Sequence, residues 1–344
     1  MINDIIKTDC ELIGKSNHLD WYHLKDISIF LTGGTGFFGK WFIHSFMYLN
    51  RTFNLNASIT ILSRSPEKFI SQHPVFAKSR NVNFITGDLR NFCFIDRHFD
   101  FFIHAGAPVD TRSSTNDDTE IYTSIIDGTN RILEYAKYTE AKKLLLTSSG
   151  AVYGVQPPKL AGFSENSPTL PITPYGKGKL KAESLCIKSD INVSIARCFA
   201  FVGPYLPLDA QYAIGNFIRD ALLNKKITIK GDGRPYRSYL YTADLMIWLW
   251  TILLKGENNN IYNVGSEEAL SIAELAEAVS NCTIDHPAYE ILSTPDNSIP
   301  ARRYIPSTQK AQTELGLKQT VSLTDSIKRT IDWNLQRCKH SFYQ

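Results

Sequence analysis

Apolar residues in the first half of the chain come in short unbroken runs, separated by segments where they recur at helical spacing. Residues 27–31 carry Ile27, Ile29, Phe30 and Leu31 and stop at a glycine cluster, Gly33-Gly34-Thr35-Gly36-Phe37-Phe38-Gly39. Beyond it Phe37, Phe38, Trp41, Phe42, Ser45, Phe46 and Leu49 follow the helical period. The stretch therefore predicts a buried strand, a tight turn and an amphipathic helix in immediate succession. Further strands are predicted at 58–62, 82–86, 101–104, 143–147 and 192–197, with helices at 66–79, 117–138 and 175–187 between them. Near-continuously apolar strands alternating with helices imply a parallel sheet covered on both faces. Past residue 200 the pattern loosens. Helices are predicted at 214–224, 244–255, 271–279, 307–315 and 324–337, with short strands at 228–230 and 261–264. Residues 1–26 read as a polar lead-in ending in Trp21 and Tyr22, with a short helix on the edge of the domain.

Composition narrows the class. Over 344 residues, 21% are charged, 43% are hydrophobic and the formal net charge is +3, which is ordinary globular usage. Basic residues gather only as pairs, Lys142-Lys143, Lys225-Lys226 and Arg302-Arg303, so no nucleic-acid partner is expected. Six cysteines (Cys10, Cys93, Cys186, Cys198, Cys282, Cys338) lie far apart with no C-x-x-C. They suggest neither a metal site nor a disulfide framework, and point to a reducing compartment. The most apolar stretch, 245–254, is about half of the ~20 residues that a membrane span requires. It reads as a buried helix capped by Asp244. A cytoplasmic protein with no membrane contact is expected.

The glycine turn carries the first chemistry. A strand that feeds a helix through glycines aims free N–H groups and the positive end of the helix dipole at one spot, where a phosphate or pyrophosphate binds. The glycines fall as G-x-x-G-x-x-G (Gly33, Gly36, Gly39), not as the commoner G-x-G-x-x-G. Gly39-Lys40 is followed by Trp41, which rules out a nucleotide-hydrolase loop. A glycine-rich turn without a ligand is the plainer alternative.

Tyr175 and Lys179 carry the second. Spaced i, i+4, they share one face at the start of a helix. A phenol with a pKa near ~10 is a poor acid-base group at neutral pH, and a neighbouring ammonium is expected to lower that value. The tyrosine could then exchange a proton with a sugar or alcohol oxygen while a hydride moves. Ser149, 26 residues before Tyr175 at a strand end, could hydrogen-bond the same oxygen. With 16 tyrosines in the chain a lone Tyr-x-x-x-Lys means little, so the weight rests on the order: turn, serine, tyrosine, lysine.

In that order the chain resembles the extended short-chain dehydrogenase/reductase family of nucleotide-sugar epimerases, dehydratases and reductases, over roughly residues 27–330. The resemblance implies a Rossmann-type doubly wound parallel sheet with a smaller C-terminal α/β substrate domain. Its division would be an extension at 1–26, a dinucleotide-binding domain at 27–199 rejoined by 240–265, and a substrate domain at 200–239 and 266–344. Gly33, Thr35, Gly36, Phe37, Phe38 and Gly39 match the cofactor turn, and Asp88 with Leu89 the acid-bearing stretch beside adenine. Ala105, Gly106 and Ala107 match the loop beside the pyrophosphate, and Phe199 the residue near the nicotinamide. Ser149, Tyr175 and Lys179 match the catalytic trio. Gly150 and Ala151 fall beside the substrate, and Asn216, Arg237 and Arg303 face its diphosphate; surface salt bridges are the alternative for these arginines. Relatives pair the helices at 117–138 and 174–187 across a two-fold axis, which implies a homodimer.

Departures from the family pattern narrow the reaction. Dehydratases carry Asp and Glu at the two positions after the catalytic hydroxyl, and decarboxylating relatives keep the Glu; here they are Gly150 and Ala151, which move no protons. Reduction of a 4-keto sugar, or 4-epimerisation through a transient ketone, remains. Ile125 and Ala200 stand where the family usually has asparagines. At the end of the second strand, Ser63-Arg64-Ser65 supplies a cation and no acid, favouring NADP(H) with NAD(H) possible. A non-catalytic protein that senses a dinucleotide is the alternative from another class.

Overall fold

The computed structural model describes residues 4–16, 19–107 and 118–341. The first half runs α1 (Asp4–Gly14), β1 (Ser28–Thr32), α2 (Phe37–Thr52), β2 (Ser58–Ser63), α3 (Pro66–Gln72), β3 (Val82–Thr86), β4 (Phe101–His104) and α4 (Asp118–Tyr138). Then come β5 (Lys143–Ser149), α5 (Pro174–Ile187), β6 (Val193–Cys198), β7 (Phe201–Val202), α6 (Ala213–Leu222), β8 (Ile227–Ile229), β9 (Tyr236–Arg237), β10 (Leu240–Tyr241) and α7 (Thr242–Lys255). The chain continues through β11 (Asn260–Val264), β12 (Leu270–Ser271), α8 (Ile272–Asn281), β13 (Tyr289–Ile291), β14 (Arg303–Tyr304), α9 (Gln309–Leu315) and α10 (Leu323–Ser341).

Seven strands form one sheet in the order β11-β6-β5-β4-β1-β2-β3, all parallel. Strand order reverses between β1 and β4, which opens a crevice at their carboxyl ends. Each strand feeds two cores by period-two alternation. Ile29 and Leu31 enter the layer with Trp41, Phe42, Phe46, Trp248 and Trp250. Phe30, between them, enters the opposite layer, its ring 5.1–5.7 Å from those of Phe92, Phe99, Phe102 and Tyr135. A third cluster around Ile214, Phe217, Leu275 and Ile327 underlies the small C-terminal sheets.

Four sequence expectations need correction. The helix expected at 66–79 stops at Gln72, and residues 74–77 form one tight turn. Pro74 disfavours helical backbone at His73 and carries no N–H for the preceding turn. The expected edge helix is instead built into the core: Ile6, Cys10 and Ile13 of α1 are buried. Its fully buried Asp9 accepts hydrogen bonds from the Tyr241 hydroxyl at 2.6 Å and the Arg329 guanidinium at 2.7 Å, tying α1 to β10 and α10. Asp244 does not cap α7, which begins two residues earlier. Its carboxylate accepts from the backbone N–H groups of Thr320 and Val321 and from the Thr320 hydroxyl. Finally, β5 extends to Ser149, two residues beyond expectation, so that Ser148 and Ser149 are held by pairing with Arg197 and Cys198. The expected start of α4, residue 117, lies outside the described residues. Among the described residues no helix is long and apolar enough to cross a membrane.

Candidate active site

At the end of β1, Gly33 has φ +70°, and a Cβ there would sit 2.5 Å from the Ala105 carbonyl oxygen. Gly39 has its own constraint, since a Cβ would fall 2.2 Å from Gly34 Cα. Only glycine lets this turn close on the 105–107 loop and on itself. Gly36 caps α2 without any side-chain hydrogen bond. The first-turn N–H groups, including those of Phe37 and Phe38, thus have no side-chain partner among the described residues, the arrangement that receives a phosphate. Thr35 flanks the cap, half-buried.

A neutral histidine pins the facing loop. Thr129 Oγ1 donates to the Ile125 carbonyl, so it accepts from His104 Nε2 at 3.2 Å. His104 Nδ1 is then the acceptor for Thr32 Oγ1 at 2.8 Å, and Thr32 in turn accepts from Gly106 N at 3.1 Å. Burial holds His104 neutral, its pKa lowered to about 3. At the far end of the turn, the exposed Arg64 lies within electrostatic reach of Asp88, which Arg90 grips through two hydrogen bonds of 2.8 and 3.3 Å. Both arginines pull the Asp88 carboxyl below its usual range, the Arg90 hydrogen bond first. Leu89 packs so closely on Gly128 that a Cβ there would lie 2.7 Å from it.

The reaction centre forms where β5, α5 and β6 end. Thr173 caps α5 through Gly176 N, and Pro174 occupies the first turn, so Tyr175 starts the helix at a set angle. Lys179, one turn on, is buried and donates from Nζ to the Thr147 carbonyl at 2.8 Å. Its Nζ stands 5.8 Å from the Tyr175 ring centre. The expected acidification of the phenol by this ammonium does not appear. Burial raises the Tyr175 pKa, with the Ser149 hydrogen bond acting the other way, and burial lowers Lys179 to about 8. Desolvation is the largest cause for both groups. Ser149 Oγ accepts from Ala151 N at 3.2 Å.

Beneath these groups runs a buried ion pair. Arg197 on β6 donates to both carboxylate oxygens of Glu183 on α5, the shortest contact being 2.7 Å. Ser148 donates to the same carboxylate. Arg197 also donates to the Tyr153 hydroxyl, which donates to Asn263. One network thereby ties β5, α5, β6, β11 and the loop after Ser149. Glu183 follows Lys179 by four residues, so Tyr175-Lys179-Glu183 is one continuous helix stripe whose third member sequence reasoning passed over.

Phe199 lies half-buried over Gly150, where a Cβ would meet its ring at 2.8 Å. Arg237 on β9 donates to its neighbour's carbonyl, and its guanidinium sits 5.9 Å over the Tyr304 ring. Arg303 stacks 4.7 Å over Tyr236 instead, and its buried Nε has no hydrogen-bond partner among the described residues. In the β9–β14 pairing, Arg303 is opposite Tyr236 and Tyr304 opposite Arg237, so the two arginines point to different faces. Asn216, on α6, accepts from Arg219 at 3.1 Å. Tyr304 was not expected: its hydroxyl stands 2.6 Å from where a Gly150 Cβ would be, and its ring lies 4.8 Å from that of Phe199. The signal for it was the alternation in Arg302-Arg303-Tyr304. No group of three or more metal-ligating side chains occurs among the described residues.

A glycine turn at the switch point of a parallel sheet, beside a Ser-Tyr-Lys trio, defines a dinucleotide-dependent α/β enzyme. Residues 29–265 match the NAD-dependent epimerase/dehydratase family. The chain belongs to that family, enzymes of the extended short-chain dehydrogenase/reductase type that modify nucleotide sugars. It is 25% identical over 318 residues to the dTDP-glucose 4,6-dehydratase of Streptomyces niveus, covering 89% of this chain and 92% of that protein. To a trifunctional UDP-glucose 4,6-dehydratase/UDP-4-keto-6-deoxy-D-glucose 3,5-epimerase/UDP-4-keto-L-rhamnose-reductase of Arabidopsis thaliana it is 29% identical over 270 residues. That match covers 75% of this chain and 40% of the larger protein. The fold superposes on a UDP-glucuronic acid 4-epimerase of Bacillus cereus, solved with UDP-glucuronic acid and NAD, with a TM-score of 0.75 at 24% identity. That superposition covers 90% of this chain and all of the other. UDP-glucose 4-epimerase of Thermotoga maritima gives a TM-score of 0.74 at 20% identity over 91% of this chain and 100% of that one.

Proposed function

We propose that this chain is an NADP(H)-using nucleotide-sugar oxidoreductase that transfers a hydride at sugar C4, acting as a 4-keto reductase. One observation carries the reading. The reaction centre offers hydroxyls and one ammonium, while the backbone beside Ser149 is Gly150-Ala151 with a phenol and a phenyl ring filling the space that a side chain at 150 would need. Chemistry there is limited to hydride and one proton. A bound nicotinamide dinucleotide supplies the hydride. Tyr175 gives its hydroxyl proton to the sugar oxygen, Ser149 orients that oxygen, and Lys179 steers Tyr175 and the nicotinamide ribose. The phenolate left on Tyr175 regains a proton from water.

In this reading Gly33, Thr35, Gly36, Phe37, Phe38 and Gly39 hold the pyrophosphate with Ala105, Gly106 and Ala107. Asp88 and Leu89 lie at the adenine, and Arg64 receives the 2′-phosphate. Phe199 packs on the nicotinamide. Gly150 and Ala151 would line the sugar, with Asn216 and Arg237 toward the diphosphate; Arg303, stacked on Tyr236 on the opposite face, is left out of that group. NAD is bound in the solved UDP-glucuronic acid 4-epimerase of Bacillus cereus, so the NADP(H) preference rests on Arg64 and on the absence of an acid in Ser63-Arg64-Ser65. A 4-epimerase with retained cofactor is the second reading, favoured by the superposition on two 4-epimerases. A homodimer through α4 and α5 fits the exposed Tyr138 and Ile187 at their ends, and light scattering would report it. A cytoplasmic location goes with this reading.

The test is a panel of UDP-, dTDP-, CDP- and GDP-linked sugars and 4-keto sugars, followed by nicotinamide absorbance and product NMR. Stoichiometric NADPH consumption with a 4-keto sugar is expected; interconversion without net consumption selects the epimerase. Inertness toward the whole panel, with dinucleotide bound, would favour a sensor.

A further inference from the structure

Two buried side-chain amides stand behind the reaction centre, and each is held from three directions. Gln156, in the loop after Ser149, is 3% exposed. Its Oε1 accepts from the Ile305 N–H at 2.8 Å, and its Nε2 donates to the carbonyls of Leu160 at 2.9 Å and Ala161 at 3.2 Å. Asn263, on β11, is fully buried. Its Nδ2 donates to the carbonyls of Phe163 at 2.8 Å and Ser307 at 3.0 Å, and its Oδ1 accepts from the Tyr153 hydroxyl at 2.7 Å. A backbone N–H can only donate and a backbone carbonyl can only accept, so neither amide can turn over without setting like groups against each other.

Together the amides fasten the loop after Ser149 to the chain that leaves β14. The backbone contributes one bridge between them, Phe163 opposite Pro306, with hydrogen bonds of 2.9 Å from Phe163 N to the Ile305 carbonyl and 2.7 Å from Ser307 N to the Phe163 carbonyl. Gln156 extends that bridge on the Ile305 side and Asn263 on the Ser307 side. Ile305 follows Tyr304 directly, so this clamp sets where Tyr304 can reach. The Tyr304 hydroxyl stands 2.6 Å from where a Gly150 Cβ would be, and its ring rests on Phe199 with centres 4.8 Å apart. Gly150 is the residue after Ser149, so clamp, ring and glycine form a relay that ends beside the serine.

We propose, resting on the hydride-and-proton reading above, that Gln156 and Asn263 are positioning residues for the sugar side of the site. They fix Ile305 and Ser307 and thereby press Tyr304 and Phe199 against Gly150, so that the wall beside Ser149 is in place before a sugar arrives. A wall already in place lowers the cost of orienting the reacting oxygen. The clamp draws on residues 153–163, 263 and 305–307, and the cofactor turn at 33–39 lies outside it, so dinucleotide binding does not depend on it.

The test is steady-state kinetics on the full-length chain, with whichever nucleotide sugar of the panel the wild type turns over. Gln156→Ala and Asn263→Ala each release one arm of the clamp. Tyr153→Phe removes the hydroxyl that Asn263 accepts from and keeps the ring stacked on Phe163, so it is the milder variant where an alanine fails to fold. We expect kcat/KM for the sugar to fall about tenfold in each alanine variant, short of the roughly hundredfold cost of a misplaced reacting group, with NADPH affinity unchanged. A smaller fall in the same direction is expected for Tyr153→Phe. Because the clamp acts through Tyr304, adding Asn263→Ala to Tyr304→Ala should cost nothing further in kcat/KM, although the melting temperature drops by the same step in both backgrounds. A lowered melting temperature with unchanged kcat/KM, an equal loss of NADPH affinity, or kcat/KM losses that multiply in the double variant would each overturn the proposal while leaving the reductase reading intact. A wild type inert toward the entire panel overturns both.

Discussion

The two halves of the candidate site are built in opposite ways. The cofactor half is local: thirteen residues, 27–39, supply strand, turn and helix, and at two of its glycines any Cβ would collide with backbone. The reaction half is assembled from β5, α5, β6, β11 and β14, brought together by a buried ion pair, shared hydroxyls and the Tyr304–Phe199 ring contact. Loss in the first half should therefore appear as lost dinucleotide affinity with modest damage elsewhere. In the second half the same size of change should spread through several strands. Local sites fail one function at a time, and assembled sites fail together.

The sharpest break is Tyr175→Phe. It removes the proton donor and nothing else, so kcat should fall by about 10²–10⁴ while NADPH titration by fluorescence gives wild-type affinity. Equal loss of affinity would mean that the halves are not separable. Next comes Arg197→Met, which leaves the Glu183 carboxylate buried without its partner. A destabilisation of about 3–5 kcal/mol is expected in urea unfolding, with Ser149 chemistry lost before unfolding is complete.

Acid probes the cofactor half. His44, on α2 with its ring against Phe76 and Nε2 bonded to the Tyr205 hydroxyl, and His104 are both buried, and burial lowers each to about 3. Unfolded histidines titrate near ~6.5, so between those values the unfolded chain binds more protons. Stability is full above about pH 6.5 and should drop by about 1.4 kcal/mol per pH unit for each histidine below it. Asp9 opposes one of them. Burial raises it to about 6, so its contribution grows as pH falls from there toward its unfolded value. Melting temperatures that stay flat between pH 7 and 5 would contradict neutral buried imidazoles.

Gly39→Val forces a Cβ against Gly34 and should cost about 1–3 kcal/mol, with dinucleotide binding abolished but the Tyr175 environment unchanged by tyrosine fluorescence. Smallest is Arg64→Ala. Arg64 is exposed and its pull on Asp88 is the weakest of those acting there, so the ratio of NADPH to NADH affinity should fall about tenfold, close to 1.4 kcal/mol. No change in that ratio would remove the basis for the NADP(H) preference.

Periodicity and glycine placement were enough to read the parallel sheet, because alternation in strands and the 3.6-residue period in helices are local consequences of burying one face. The turn at 33–39 and the Tyr175-Lys179 pair were legible for the same reason, since spacing along one element decides which side chains are neighbours. Tyr304 meeting Gly150 and Phe199, Glu183 gripping Arg197, Asp9 reaching Tyr241 and Arg329, and the reversal of Arg303 away from Arg237 were not. Each depends on two segments far apart in the chain arriving at one place. Whether Tyr175 is acidic was decided there too, because desolvation is set by everything packed around a group and not by its neighbour four residues along.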